Sequence, residues 1–103
     1  MTANLTEKEF AQHVNTRFRV KLDVPGPVDL ELIQVKGYLT KPDEQDGMER
    51  FSVFFKGPDN PLLPQASYTF EHELMGSFDL FLVPIGRDEK GFKYEAVFNY
   101  YKS

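Results

Sequence analysis

Apolar and polar residues alternate with a period of two through most of this chain, the signature of strands with one dry and one wet face. Phe18, Val20 and Leu22 alternate with Arg17, Arg19 and Lys21, which predicts a first strand over Thr16–Asp23. A second runs from Val28 to about Tyr38, with Val28, Leu30 and Leu32 facing in and Asp29 and Glu31 facing out. At Leu32-Ile33 the alternation slips, and a β-bulge there would return Ile33 and Val35 to the core side. The third strand, Arg50–Lys56, turns Phe51, Val53 and Phe55 inward and Phe54 outward. The fourth, Ala66–His72, turns Tyr68 and Phe70 inward. The last spans Phe92 to about Tyr101. Phe92, Tyr94, Ala96, Phe98 and Tyr100 share one of its faces, against Lys93, Glu95, Val97, Asn99 and Tyr101.

The stretch Ser77–Gly86 breaks the alternation. Every residue from Leu80 to Ile85 is apolar, so both faces are greasy. Strands covered on both sides need not alternate, and this one is therefore expected to be the central strand. Phe78, Leu80 and Leu82 point one way, and Phe81, Val83 and Ile85 the other. Pro84 has no amide hydrogen for the ladder, so pairing loosens there, and Gly86 ends the strand.

Before the strands comes one short helix. Thr6 followed by Glu9 is a capping box, and Leu5 and Phe10 have the spacing of a hydrophobic staple. The helix is predicted over Glu7–Val14, with Phe10 and Val14 on its inner face. It is too short to stand alone and must dock on the sheet. Pro25-Gly26-Pro27 turns the chain between the first two strands, and Lys21 is expected opposite Asp29 or Glu31. Lys41–Glu49 reads as a polar, acidic loop. Pro58, Pro61 and Pro64 exclude a regular strand, leaving Leu62 and Leu63 to cap an open end of the core. Gly76 supplies the left-handed residue of the turn before the central strand. Arg87–Gly91 is the last hairpin loop. The fold expected is mainly β: one domain over residues 1–103, a six-stranded antiparallel meander rolled into a small barrel or two-layer sandwich, with one N-terminal helix.

Composition narrows the function classes. Ten Phe and five Tyr without Trp agree with a β-rich core. A net charge of −4 argues against general affinity for nucleic acid or anionic membranes. The absence of Cys removes disulfides, thiolate metal sites and thiol nucleophiles. No apolar run approaches the ~20 residues of a membrane span and no signal-peptide core is visible, so a cytoplasmic location is expected. Asn4-Leu5-Thr6 matches a glycosylation sequon and is read as chance.

Candidate chemistry is thin. His72 stands between Glu71 and Glu73, and a carboxylate beside an imidazole can poise it for acid–base work. Neighbouring strand residues point to opposite faces, so the plain reading is a polar residue at a strand end. His13 is expected at the surface or the end of the helix. The two histidines have no metal-ligand spacing, and Asp43, Glu44, Asp46 and Glu49 around Gly47 fail the calcium-loop pattern. No serine lies in a nucleophile elbow and no glycines form a phosphate loop. The basic stripe Arg17, Arg19 and Lys21 could serve single-stranded nucleic acid, but cross-strand ion pairing explains it. No catalytic residue, cofactor or metal is assigned, and the expectation leans away from an enzyme.

What remains is the outward face of the third, fifth and sixth strands, where Phe54, Phe81, Val83, Val97 and Tyr101 form a candidate interface. Either the N-terminal helix covers it, with Phe10 and Val14 docked on it, or a protein partner or second copy does. The leading expectation is a non-enzymatic interaction or assembly domain. The alternative is a small-ligand binder or weak enzyme at a barrel mouth lined by Tyr68, Glu71 and His72.

Several phrases carry a resemblance: Phe51-Ser52-Val53-Phe54-Phe55-Lys56-Gly57-Pro58, Leu63-Pro64-Gln65, Tyr68-Thr69-Phe70-Glu71-His72, Leu80-Phe81-Leu82-Val83-Pro84-Ile85-Gly86 and Tyr94-Glu95-Ala96-Val97-Phe98-Asn99. Over about residues 51–99 the chain resembles a family of short bacterial proteins classed as a domain of unknown function. The resemblance implies a small bacterial domain, tilted towards assembly, and brings no activity, cofactor or catalytic residue with it. Ala66 stands where relatives more often have Gly, which puts a tight turn there in doubt.

Overall fold

The computed structural model describes residues 5–23, 26–37, 48–59 and 61–101. The helix α1 (Glu7–Ala11) precedes six strands: β1 (Arg17–Val20), β2 (Val28–Gly37), β3 (Met48–Gly57), β4 (Ala66–His72), β5 (Gly76–Asp88) and β6 (Gly91–Tyr101). All pair antiparallel in one closed ring ordered β1-β2-β3-β6-β5-β4. Of the two architectures expected, the barrel is the one that forms. It is not a simple meander. Two three-stranded meanders, β1-β2-β3 and β4-β5-β6, join through β3–β6 and through a short β1–β4 seam. Only Arg19↔Glu71 and Val20↔Phe70 are paired in that seam, extended by the Lys21 amide donating to the Thr69 carbonyl at 2.9 Å.

Parity sets the interior. Phe18, Val20, Leu30, Leu32, Phe51, Val53, Phe55, Phe70 and Tyr94 are wholly buried, and each was expected inward from its alternation; Leu82, from the stretch without alternation, is wholly buried as well. The bulge falls where the pattern slips: the β2–β3 register jumps between Leu32↔Phe55 and Gln34↔Phe54. Val35 then pairs with Val53 and packs against the core. Ile33 does not join it, because Ile33 is the extra residue and is only half-buried. Opposite charges meet across β1 and β2, as Arg17↔Glu31 and Arg19↔Asp29. Lys21 lies beyond β1, which is shorter than expected, and approaches Glu71 of β4 at 3.7 Å instead.

The helix closes one end of the barrel. Thr6 caps it, its hydroxyl accepting from the Glu9 amide at 3.0 Å. It stops at Ala11 rather than Val14, and Asn15 then takes a left-handed φ of 73° that returns the chain to β1. Phe10 is fully buried, with its ring 5.4–6.2 Å from those of Phe18, Phe51, Phe78 and Phe98. So α1 plugs the mouth and does not lie over the outer sheet face, contrary to the first of the two expectations. The β3–β4 connection closes the other end with Leu63, whose amide donates to the Tyr94 hydroxyl at 3.0 Å; Leu62 is exposed.

β5 is dry on one face only. Phe78, Leu80 and Leu82 face the core, while Phe81 is 52% exposed and Ile85 is also open to solvent. β5 continues past Gly86 to Asp88, and its register with β6 shifts between Pro84 and Gly86, where Pro84 cannot donate. Its partners also change along its length. Residues Gly76 to Leu82 pair with β4, and Val83 to Asp88 with β6. Beyond Val83↔Glu95 the two strands diverge, so the ring is not a regular barrel.

The loop expected over Lys41–Glu49 lies outside the described residues up to Gly47; Met48 and Glu49 already belong to β3. Asn4, Pro25 and Tyr38 are likewise outside them.

Candidate functional site

Two regions gather the residues singled out above. The first is the plugged mouth. His72, the last residue of β4, turns inward and is 8% exposed, because the inward parity of Phe70 carries through to it. Its Nδ1 accepts two backbone amides of the following turn, Leu74 at 3.0 Å and Met75 at 3.2 Å. A nitrogen that accepts twice carries no proton, so the neutral ring holds its hydrogen on Nε2. Nε2 lies 2.9 Å from Thr16 Oγ1 and donates to it, and Thr16 Oγ1 in turn donates to the His13 carbonyl at 2.6 Å. Both ring nitrogens of His72 are therefore committed to the fold. Burial above all, then His13, pushes its pKa below the ordinary imidazole value, while Glu73 pulls the other way.

His13 stands just past the end of the helix, the second of the two positions expected, and is buried there rather than on the surface. Its ring centroid is 4.7 Å from that of His72, and its Nε2 is 3.7 Å from Glu9 Oε1. The pairing of the two histidines was not visible in the sequence. They are far apart in the chain, and only closure of the β1–β4 seam brings helix end and strand end together.

Outside this mouth is a cleft of about 440 Å³ lined by Arg17, Arg19, Asp29, Glu71, His72 and Glu73. The expected trio of Tyr68, Glu71 and His72 is thus brought together only in part. Tyr68 does not line the cleft; its hydroxyl donates to the Pro64 carbonyl at 2.5 Å. A larger cleft, about 610 Å³, whose lining includes Asp29, Glu31, Lys56, Pro58 and Lys90, lies outside every sequence expectation. Among the described residues no group of three or more His, Asp or Glu side chains is placed to hold a metal ion.

The second region is the outer face of β3, β6 and β5. Phe54, Glu95 and Val83 form one row across it, from Phe54↔Glu95 and Val83↔Glu95. Phe54 is half-buried with Lys93 Nζ 5.3 Å from its ring centroid, a cation–π contact. Val97 is 63% exposed and sits where continuation of the β5–β6 register would set it opposite Phe81, but the strands have already parted. Glu95 interrupts the patch, standing between Phe54 and Val83 in their row. Tyr101 pairs through its backbone with Met48; its side chain lies outside the described atoms.

A small closed β ring with a helical plug and an apolar outer corner is the class of domain that this geometry defines. The chain belongs to the DUF6916 family, a domain of unknown function, whose model matches residues 5–98. No curated protein and no solved structure matches it. Among the described residues no helix is long and apolar enough to cross a membrane.

Proposed function

We propose that this domain works by protein contact, through the outer corner formed by Phe81, Val83 and Val97 with Phe54 at its edge, and that it serves an assembly rather than a reaction. The observation that carries this reading is the exposure of Phe81 and Val97 on two strands that part beside them. Large side chains exposed together, next to strand edges without a partner, favour docking of another chain. Placing the assembly in a bacterial cell rests on resemblance alone. The occupant that needs no further component is a second copy.

Sedimentation velocity over a micromolar to submillimolar range tests it, with Phe81→Asp and Val97→Asp as companions. Self-association in the parent chain, lost in both variants with Tm unchanged at the dilute end of the range, is the expected result. A chain that stays monomeric throughout removes the second copy as occupant. A Tm that collapses in both variants would assign these residues to the fold instead.

A further inference from the structure

The docking face plays no part in the contact between His13 and His72. Four hydrogen bonds converge here: two turn amides on His72 Nδ1, His72 Nε2 on Thr16, and Thr16 on the His13 carbonyl. They join three separate segments, namely the β4–β5 turn, the start of β1 and the end of the helical segment. Directly beneath lies the Phe10 plug, with the Phe18 ring 4.2 Å from His72 and itself 6.2 Å from Phe10.

We propose that His13 and His72 form an acid-sensitive latch that holds the N-terminal helix in the barrel mouth. A proton added to His72 can go only to Nδ1. The ring then presents N–H to two N–H donors, both of those hydrogen bonds are lost, and a cation stands against the second imidazole and the Phe18 ring. The charged groups around it do not remove this effect. Arg17 and Arg19 of β1 share the cleft with His72 and oppose a further positive charge, whereas Glu71, Glu73 and Asp29 line the same cleft and favour one. Glu9 of the helix faces His13, at 3.7 Å. Burial and His13 outweigh Glu73 at His72 itself.

The sign follows. A histidine whose folded pKa lies below its unfolded value contributes stability that is complete above the ordinary histidine range and declines as the pH falls through it. The two bonds lost tie down the β4–β5 turn, and the cation left behind stands against His13 at the end of the helical segment. The first consequence is therefore local, the turn and the helix end loosening while the β3–β6 ladder holds.

Amide exchange followed by NMR, corrected for intrinsic rates, tests this between about pH 7.5 and pH 5. Protection at Leu74, Met75, His13 and Thr16 should fall by up to about tenfold per pH unit, the limit for one linked proton, and should stay below that of Tyr94 and Ala96, which exchange only by the larger opening. His72→Asn keeps an acceptor near the Nδ1 position without titrating, and should abolish the pH dependence. Equal loss in that variant, a mouth no less protected than the rest of the barrel at any pH, or no loss at all overturns the latch. Should His72→Asn fail to fold, the imidazole nitrogen shifts of the parent chain decide. An Nδ1–H tautomer, or a His72 pKa at or above the ordinary value, overturns it equally.

Discussion

The Tyr94 hydroxyl accepts a hydrogen bond from the Leu63 amide at 3.0 Å, inside the barrel. Tyr94 is fully buried, so the bond ties the β3–β4 crossover to a ladder it could not otherwise join. The three prolines of that crossover leave it with few amides of its own to offer. Tyr94→Phe keeps the ring and strands the Leu63 amide. The expected cost is about 1–3 kcal/mol by urea melt, since a buried donor loses its partner. The same residue gives an alkaline signature. Burial raises the Tyr94 pKa above the ordinary tyrosine value, against a smaller opposing effect of the Leu63 amide. Stability is then complete below the unfolded pKa of about 10 and is lost as the pH rises beyond it. In Tyr94→Phe that part of the alkaline decline should vanish.

Phe10 carries most of the apolar mass by which a five-residue helix holds its place. So short a helix has no independent stability, and its four aromatic neighbours come from β1, β3, β5 and β6. Phe10→Ala should cost about 3–5 kcal/mol, the range for a fully buried phenylalanine. Thr6→Ala removes only the cap and should cost about 1 kcal/mol. Denaturant melts of the two variants check both size and order; equal costs would mean that the ring does not serve as the plug.

Gly91 opens β6 with a φ of 143°, and a Cβ there would run into the Gly57 carbonyl at the end of β3. Backbone cannot retreat as a side-chain tip can. Gly91→Ala should therefore cost about 2 kcal/mol or more, from strain and displacement together. Gly26, also at positive φ but with open space around it, should show only the strain. Paired thermal melts of the two alanine variants separate the contributions.

How much of this was legible beforehand depends on the range of the interaction. Parity is local, and it placed Phe51, Val53, Phe55, Phe70 and Tyr94 inward and put the bulge at Ile33. Thr6, Glu9 and Phe10 announce the helix by spacing alone. Strand order is not local: nothing in the run from β3 to β4 says that β3 will pair with β6. The contact of His72 with His13 follows from closure of the β1–β4 seam and was hidden with it, whereas the inward turn of His72 is a matter of the parity it shares with Phe70. Leu80–Ile85 misled for a different reason. Apolar residues on both faces show what a strand could cover, not what covers it.

That misreading leads to the sharpest mutational contrast in the chain, between consecutive residues of β5. Leu82 is wholly buried and Phe81 is half open. Deleting most of the Leu82 side chain leaves a cavity the ring of strands cannot collapse, so Leu82→Ala should cost about 2–5 kcal/mol. Phe81→Ser removes more apolar surface but opens no cavity, and in the monomer it should shift stability by no more than about 0.5 kcal/mol. If Phe81 instead packs against a second copy, its loss becomes concentration-dependent. Tm of the parent chain then rises with protein concentration, while that of Phe81→Ser does not. Melts at two concentrations, a hundredfold apart or so, read both effects in one experiment. A Phe81→Ser cost as large as that of Leu82→Ala at the lower concentration would mean that this face is covered within the chain after all.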